Sequence, residues 1–527
     1  MTEQTGGAQN APQYRKRSRS AKPLLWVIAG IAVAVIVALV LFFTLRGGDN
    51  RAEGGDGTRT LTVGLTLQPT NLDIRKTGGV ALDQILIDNV YQGLVGLRSG
   101  SLDEFVPVLA KDLPEISDDG RTYTFTLRDG VAFHSGNALT AKDVVDSLNA
   151  EGSNFTLKHA IGPDTVATSP DEHTIVISLA TPNSELMWQL ANRPGLVFES
   201  AYTDDLASTT NGTGPYELQD WRQGDSITFV SNTAYWGTAP TLDQVVWRYI
   251  PDANAAVNAA LGDDLDVLTP VTSSLVGQFD GDDRFTLQRS ASTDVFTLAY
   301  NSAKAPLNDL RVRQALSQAI DSQAIIDAFY GDGKPLGGPI TDIEPAYEDL
   351  TRINSYDPAH AKQLLAEAGV SNLTLTLTVP NHYPNDPINV LVTQFAEIGV
   401  TLKVDSVEFP TWLSTVYTAP ADGSPRGYDL SYVDHVEPND FVNYVTPGYY
   451  FDLVNPEALK LYDQAIEATD AATAIDLRKQ AARIVAADAP AKWLINYTPS
   501  SAIGTHVSGF PKSNTNSRIN LDGITVK

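Results

Sequence analysis

The residues able to do covalent or metal chemistry in this 527-residue chain are few and scattered. The seven histidines are His134, His159, His173, His360, His382, His435 and His506, and no two form an i, i+4 pair with a glutamate between them. That spacing supports no zinc or iron site. There is no cysteine, which excludes disulfides, thiolate metal ligands, thiol nucleophiles and a lipid-modified cysteine. No G-x-S-x-G elbow or phosphate-binding P-loop occurs, and Gly331-Asp332-Gly333 does not complete a dinucleotide fingerprint. Asp263-Asp264 and Asp282-Asp283 are adjacent acids in polar stretches, where neighbouring side chains diverge, so neither reads as a glycosidase dyad. No catalytic residue, metal or cofactor is expected on these spacings.

The stretch Phe105 to Leu148 shows what such a chain builds instead. Tyr123, Phe125 and Leu127 alternate with Thr122, Thr124 and Thr126, the period of a half-buried strand. Asp119-Gly120 and Asp129-Gly130 flank it as turn pairs. Val131-Ala132-Phe133 is a second apolar piece ending at Ser135-Gly136. Thr140 then opens a helix, with Asp143 at capping-box spacing and Val144, Val145 and Leu148 as its stripe. Further along, Val312, Ala315, Leu316, Ala319 and Ile320 follow a helical period. Asp357-Pro358 starts a helix that Gly369 ends, and strands at 373–379 and 400–404 enclose a helix at 389–398. Helices at 456–469 and 472–487 precede a strand at 493–497. Alternating strands and helices in a chain this long indicate α/β architecture with more than one unit.

The wording of 105–148, with Arg128, His134 and Asp143 at fixed positions, closely resembles the family 5 extracellular solute-binding proteins, the oligopeptide- and dipeptide-binding components of ABC importers. The resemblance extends to Leu61–Thr66, Ile87–Leu94 (as a first helix), the Gly212-Thr213-Gly214-Pro215-Tyr216 turn, Tyr235-Trp236-Gly237, Val295–Asn301 and the Arg311–Asp321 run. It implies a two-lobed, periplasmic-binding-protein-like fold of type II with an extra subdomain. A discontinuous lobe I over 58–296 plus 491–527 and a lobe II over 297–490 are expected, joined by a hinge of two chain crossings. Val295–Asn301 would carry the chain out of the first lobe and the 493–497 strand would return it. The implied partners are a peptide or other small solute and ABC permease subunits, and the protein is expected to be a monomer. The same fold in relatives takes oligosaccharides or metal chelates. A cell-surface hydrolase or ligand sensor is a rival reading, but the first needs a nucleophile or metal cluster and the second a membrane partner.

The resemblance also implies a site. In peptide-binding relatives the strand corresponding to Tyr428–Val433 enters the cleft, where an aromatic residue is followed by an acid that receives the peptide α-ammonium. Tyr432 takes the aromatic position and Asp434 the acid, with Glu437 as the alternative, because the run here is Tyr-Val-Asp-His-Val-Glu-Pro. A desolvated ammonium needs such a charge-assisted acceptor. Trp412, Val433, His435 and Gly214 complete the expected ligand-binding set. Arg193, Arg289 and Arg426 are the candidates for a ligand carboxylate. Arg311 and Arg313 are expected on a helix surface.

Net charge is −26, and residues 58–527 alone carry 30 basic against 59 acidic residues. A phosphate backbone would be repelled, so nucleic acid is not an expected partner. The N-terminus has the opposite character. Pro23–Leu45 is 23 uncharged residues, preceded by Arg15, Lys16, Arg17, Arg19 and Lys22. As a helix it would span roughly 34 Å, enough for a hydrocarbon core of about 30 Å. The basic flank places residues 1–22 as a cytoplasmic tail, 23–45 as a transmembrane anchor, and 46–58 as a flexible linker to an extracytoplasmic domain. Secretion after signal cleavage is the alternative, but Phe42-Phe43-Thr44-Leu45-Arg46 offers no small-x-small site. Mass spectrometry of the mature protein is expected to recover the 23–45 segment; a new N-terminus between residues 46 and 58 would show cleavage instead.

Overall fold

In the computed structural model, residues 58–527 are described, apart from Asn154, His382 and Asn514. The expected tail, anchor and most of the linker therefore lie outside the described residues. Among those described, no helix is long and apolar enough to cross a membrane.

Two mixed sheets dominate. The first has seven strands, in the order Phe285–Arg289, Ser500–Gly504, Val267–Val271, Thr60–Leu65, Gln244–Tyr249, Ser226–Ser231 and Tyr216–Arg222. Thr60–Leu65 runs parallel to both of its neighbours and every other pairing is antiparallel. Leu61, Val63, Phe229, Val245 and Trp247 bury one core against it. The second sheet has six strands, Gly333–Lys334, Ala491–Tyr497, Val295–Tyr300, Leu430–His435, Thr374–Pro380 and Thr401–Val407. Both of its faces are covered, so Val295–Tyr300 reads as a continuous buried run rather than an alternating one.

A smaller antiparallel sheet of four strands is inserted before the first sheet is complete, over Glu115–Ile116, Thr122–Thr126, Thr174–Ser178 and Val166–Thr168. Tyr123, Phe125 and Leu127 are buried, as their alternation requires. The Ala141–Leu148 helix carries the capping box at Thr140 and Asp143. Glu185 ties this region to the helices Pro456–Ile466 and Ala471–Asp488, accepting from Tyr462 Oη at 3.0 Å, Arg478 Nη2 at 3.0 Å and Asn439 Nδ2 at 2.8 Å.

The chain passes between the two large sheets twice, at 290–294 and at 498–499. The crossings are stitched together. Ser290 N donates to Pro499 O at 2.9 Å, Tyr497 N to Asp294 O at 2.8 Å, and Ser292 Oγ to Tyr497 O at 2.6 Å. The strand expected to return the chain to the first lobe, Ala491–Tyr497, instead pairs with Val295–Tyr300 and Gly333–Lys334 in the second sheet. Its seven residues hold six buried ones, so it needs two covered faces, and only an interior position in a sheet supplies them.

Three local expectations are corrected. Residues 87–94 are not a helix. The helix is Val80–Leu86, and it ends where Ile87 turns extended and Asp88 adopts φ 68°. The Arg311–Asp321 run does form a helix, Leu310–Gln318, with Asp309 as its N-cap. Arg313 lies on its buried side rather than its surface, donating to the carbonyls of Leu307, Asp488 and Ala489. The third concerns the helix expected at 389–398, which begins earlier, at Asn385, behind Pro384.

The Gly212–Tyr216 corner is a close backbone approach. A Cβ on Gly212 would lie 1.8 Å from Val90 O, and one on Gly214 2.5 Å from Asn89 O. Gly212→Ala is expected to destabilise the protein by about 1–3 kcal/mol through overpacking. The urea midpoint would read this, and an unchanged midpoint would mean the corner can open.

Candidate functional site

The site grows from one antiparallel ladder. Val295–Tyr300 pairs with Leu430–His435 so that Phe296 faces Asp434 and Leu298 faces Tyr432. Side chains alternate across a strand, so Tyr432 and Asp434 share a face while Val433 and His435 take the other. The packing follows this parity. Tyr432 joins the core containing Phe296 and Leu298, whereas Val433 joins the core containing Trp412 and Trp493.

On the first face, Phe296 stacks on Tyr432 with ring centroids 5.3 Å apart. Tyr383 meets both edge-on, and Tyr497 meets Phe296 at 5.7 Å. Tyr383 Oη accepts from Asp434 N at 3.2 Å. Asp434 keeps some solvent access as a residue, but its Oδ1 is sealed and has no hydrogen-bond partner. Tyr432 Oη is likewise buried without a partner.

Asp294 sits at the end of the first crossing, one residue before the ladder, and is fully buried. Continuing the register places it opposite Val436, diagonal to Asp434 on the same face. Such neighbours lie roughly 7–8 Å apart at Cα. Its Oδ2 accepts from Asn516 Nδ2 at 2.5 Å, and its Oδ1 has no partner. Burial, and then the Glu437 carboxylate, push the Asp294 carboxyl up to about 7. Burial first, then Asp294 and Glu437, push Asp434 well above the usual carboxylate range. Two acids that repel each other are thus held largely out of solvent, and the groups acting on them include no cation. Glu437 is itself exposed and borders a cavity of ≈ 200 Å³ that also touches Asp83, Asp88, Arg193 and Arg518.

The structure brings Tyr432, Asp434 and Glu437 together and sets the other sequence candidates apart. His435 is buried on the opposite face, with Nδ1 2.7 Å from Asp440 Oδ2 and Nε2 2.8 Å from Tyr450 Oη. Burial lowers its proton affinity, but the charge and hydrogen bond of Asp440 outweigh that and the net direction is upward. Trp412 donates from Nε1 to Ser431 Oγ at 3.0 Å and stacks on Phe409, also behind the sheet. Gly214 is walled in by Asn89 and Val90, and its carbonyl lies within hydrogen-bond reach of His134 Nε2 and Asn232 Nδ2. The three arginines are already engaged: Arg193 by Asp83, Arg289 by Asp332 and Arg426 by Asp452. Sequence reasoning missed Asp294, Tyr383 and Asn516. Asp294 lies 140 residues before Asp434, and no local spacing joins them. Among the described residues no cluster of three metal-ligating side chains occurs.

The comparisons with known proteins agree with this architecture. The model of the bacterial extracellular solute-binding proteins, family 5 Middle, matches residues 104–449. The dipeptide-binding protein of Escherichia coli K12 is 27% identical over 487 residues, covering 82% of this chain and 88% of its own. Heme-binding protein A of Haemophilus influenzae is 27% identical over 447 residues, covering 76% of this chain and 80% of its own. The fold is that of the periplasmic binding protein DppA from Helicobacter pylori in complex with the peptide STSA, with TM-score 0.75 at 21% identity, 89% of this chain and 98% of that one being covered.

Charging a buried, unpaired carboxylate opposes folding. The sign follows from linkage: with a folded-state pKa above the unfolded one, each acid's contribution is fully present below the ordinary carboxylate value. It is lost as pH rises through the folded value. The unfolding midpoint of the ligand-free protein is therefore expected to fall between about pH 4 and pH 8, through this pair. Asp434→Asn should flatten the fall and stabilise the free protein at pH 8 by about 1–3 kcal/mol. Calorimetry across that range checks it, and equal slopes in both proteins would contradict it.

Proposed function

The chain belongs to the bacterial extracellular solute-binding proteins of family 5, and from that premise we propose that it captures a peptide by its α-ammonium and hands it unchanged to the permease of an ABC importer. The observation that carries the reading is the Asp294–Asp434 pair. Two sealed carboxylate oxygens without donors, beside tyrosines, ask for a ligand that brings N–H groups and positive charge. The Escherichia coli dipeptide-binding protein and the STSA complex of the Helicobacter protein make a peptide the natural carrier of such a group. No covalent step is needed, and none is proposed.

In this reading the lobes follow sheet membership: residues 58–293 with 498–527 form one, and residues 294–497 the other. The stitched crossings at 290–294 and 498–499 are the hinge. Asp434 lies in the second lobe and Asn516 in the first, with Asp294 where they meet. A cation bound there is held from both sides and favours the closed form. The rest of a peptide can pair through its main chain, so none of the engaged arginines has to release its acid. The 23–45 segment would keep the domain at the outer face of the membrane, within reach of its permease.

A thermal-shift screen of peptides, oligosaccharides and metal chelates is expected to single out peptides with a free amino terminus. Acetylating that terminus, or Asp434→Asn, should weaken binding by about tenfold or more. Small-angle scattering should show compaction with the free peptide. Equal affinity for acetylated and free peptide would end the amine-capture reading.

A further inference from the structure

The peptide reading needs one carboxylate at the amino terminus, and the structure provides two. Resting on that reading, we propose that Asp294 makes the amine end of the site a receptor for two positive charges, so that the preferred peptide begins with a lysine- or arginine-type residue. Asp434 takes the α-ammonium and Asp294 takes the side-chain cation.

The geometry separates the two roles. Asp434 is on the Leu430–His435 strand, and Asp294 is at the mouth of the neighbouring strand, diagonal to it on one face. One ammonium hydrogen-bonded to Asp434 leaves the Asp294 oxygen sealed and unpaired, a state that buried charges avoid. A side chain of four or five atoms beyond the first Cα reaches such a diagonal distance with ease. Among the described residues no cation acts on either carboxylate, and Lys492, buried on the adjoining strand opposite Leu298, feels the charge of Asp321 instead. Among the described residues neither Asp294 nor Asp434 has an ion-pair partner, and the nearby Arg289 is committed to Asp332. Asn516 offers only an amide to Asp294 Oδ2, and its own Oδ1 is a further buried acceptor without a donor. Tyr383, Tyr432 and Tyr497 line the same face, and an aromatic wall accepts a cation as readily as an apolar chain. Glu437, at the rim, adds negative charge on the solvent side. His435, the one ionisable base on this ladder, faces the other core and is taken by Asp440.

The proton balance gives a second signature. With no ligand the pair repels itself and retains a proton near neutral pH. A monocation satisfies one carboxylate and leaves that proton in place. A dication needs both carboxylates ionised, so binding expels the proton to buffer.

The test is titration calorimetry at pH 7 in two buffers of different ionisation enthalpy. It compares Lys-Ala-Ala with norleucine-Ala-Ala, which has the same stem without the amine. In the native protein the lysine peptide is expected to bind about tenfold or more tighter and to release more protons. In Asp294→Asn, checked for folding by its unfolding midpoint, the two peptides should bind within about twofold of each other and the extra proton release should vanish. Equal affinities in the native protein overturn the proposal, with or without a folded variant. So does a lysine preference that survives Asp294→Asn. If neither peptide binds, the peptide reading itself fails, an outcome distinct from equal binding of both.

Discussion

The geometry of the candidate site depends on the pairing of Val295–Tyr300 with Leu430–His435. That ladder sits in the middle of a sheet covered on both sides, so its register has no freedom to slip. A shift of one residue would carry Asp434 into the aromatic core behind the sheet and bring His435 forward. The same pairing sends Tyr432 towards Phe296 and Val433 towards Trp412. It also delivers Asp294, the residue on which the chain enters the sheet, to the face that Asp434 occupies.

The fold bears an electrostatic load at this point. Polar residues through the crossings are buried and mostly satisfied by backbone: Ser292 by Tyr497, and Asn496 by Ser292 and Asp294. Without a partner are Ser290 Oγ, Asn496 Oδ1 and, at greater cost, one oxygen of each of the carboxylates of Asp294 and Asp434. A protein optimised only for stability would pair or remove them, since an unpaired buried charge opposes folding. Local departures of this kind cluster where a ligand completes the structure. Glu185 shows the contrast: a half-buried acid in a position that holds regions together receives three donors on its Oε1.

Much of the architecture could be read along the chain, because it rests on local rules. Period-two alternation located Thr122–Thr126, a capping box opened Ala141–Leu148, and Asp357-Pro358 began the Pro358–Glu367 helix. Where the reading failed, a non-local requirement had won. Arg313 looks like a surface residue on its helix, yet the carbonyl of Leu307 just before the helix and those of Asp488 and Ala489 from a distant segment satisfy its guanidinium in the interior. Ala491–Tyr497 follows Pro490 in a stretch that looks like a return to the first lobe, but six buried residues of seven commit it to the second sheet.

The site divides along the same line. Composition and local pattern alone determined that this is an acidic α/β protein without cysteine, while resemblance to family 5 drew attention to the strand that carries Asp434. Those properties are carried by residue types and short spacings, which survive without coordinates. Only the tertiary structure decided which neighbours of Asp434 share its face, sending Trp412, Val433 and His435 behind the sheet and bringing Asp294 from 140 residues away. Strand parity and long-range register set that arrangement, and both come into being when the two strands pair.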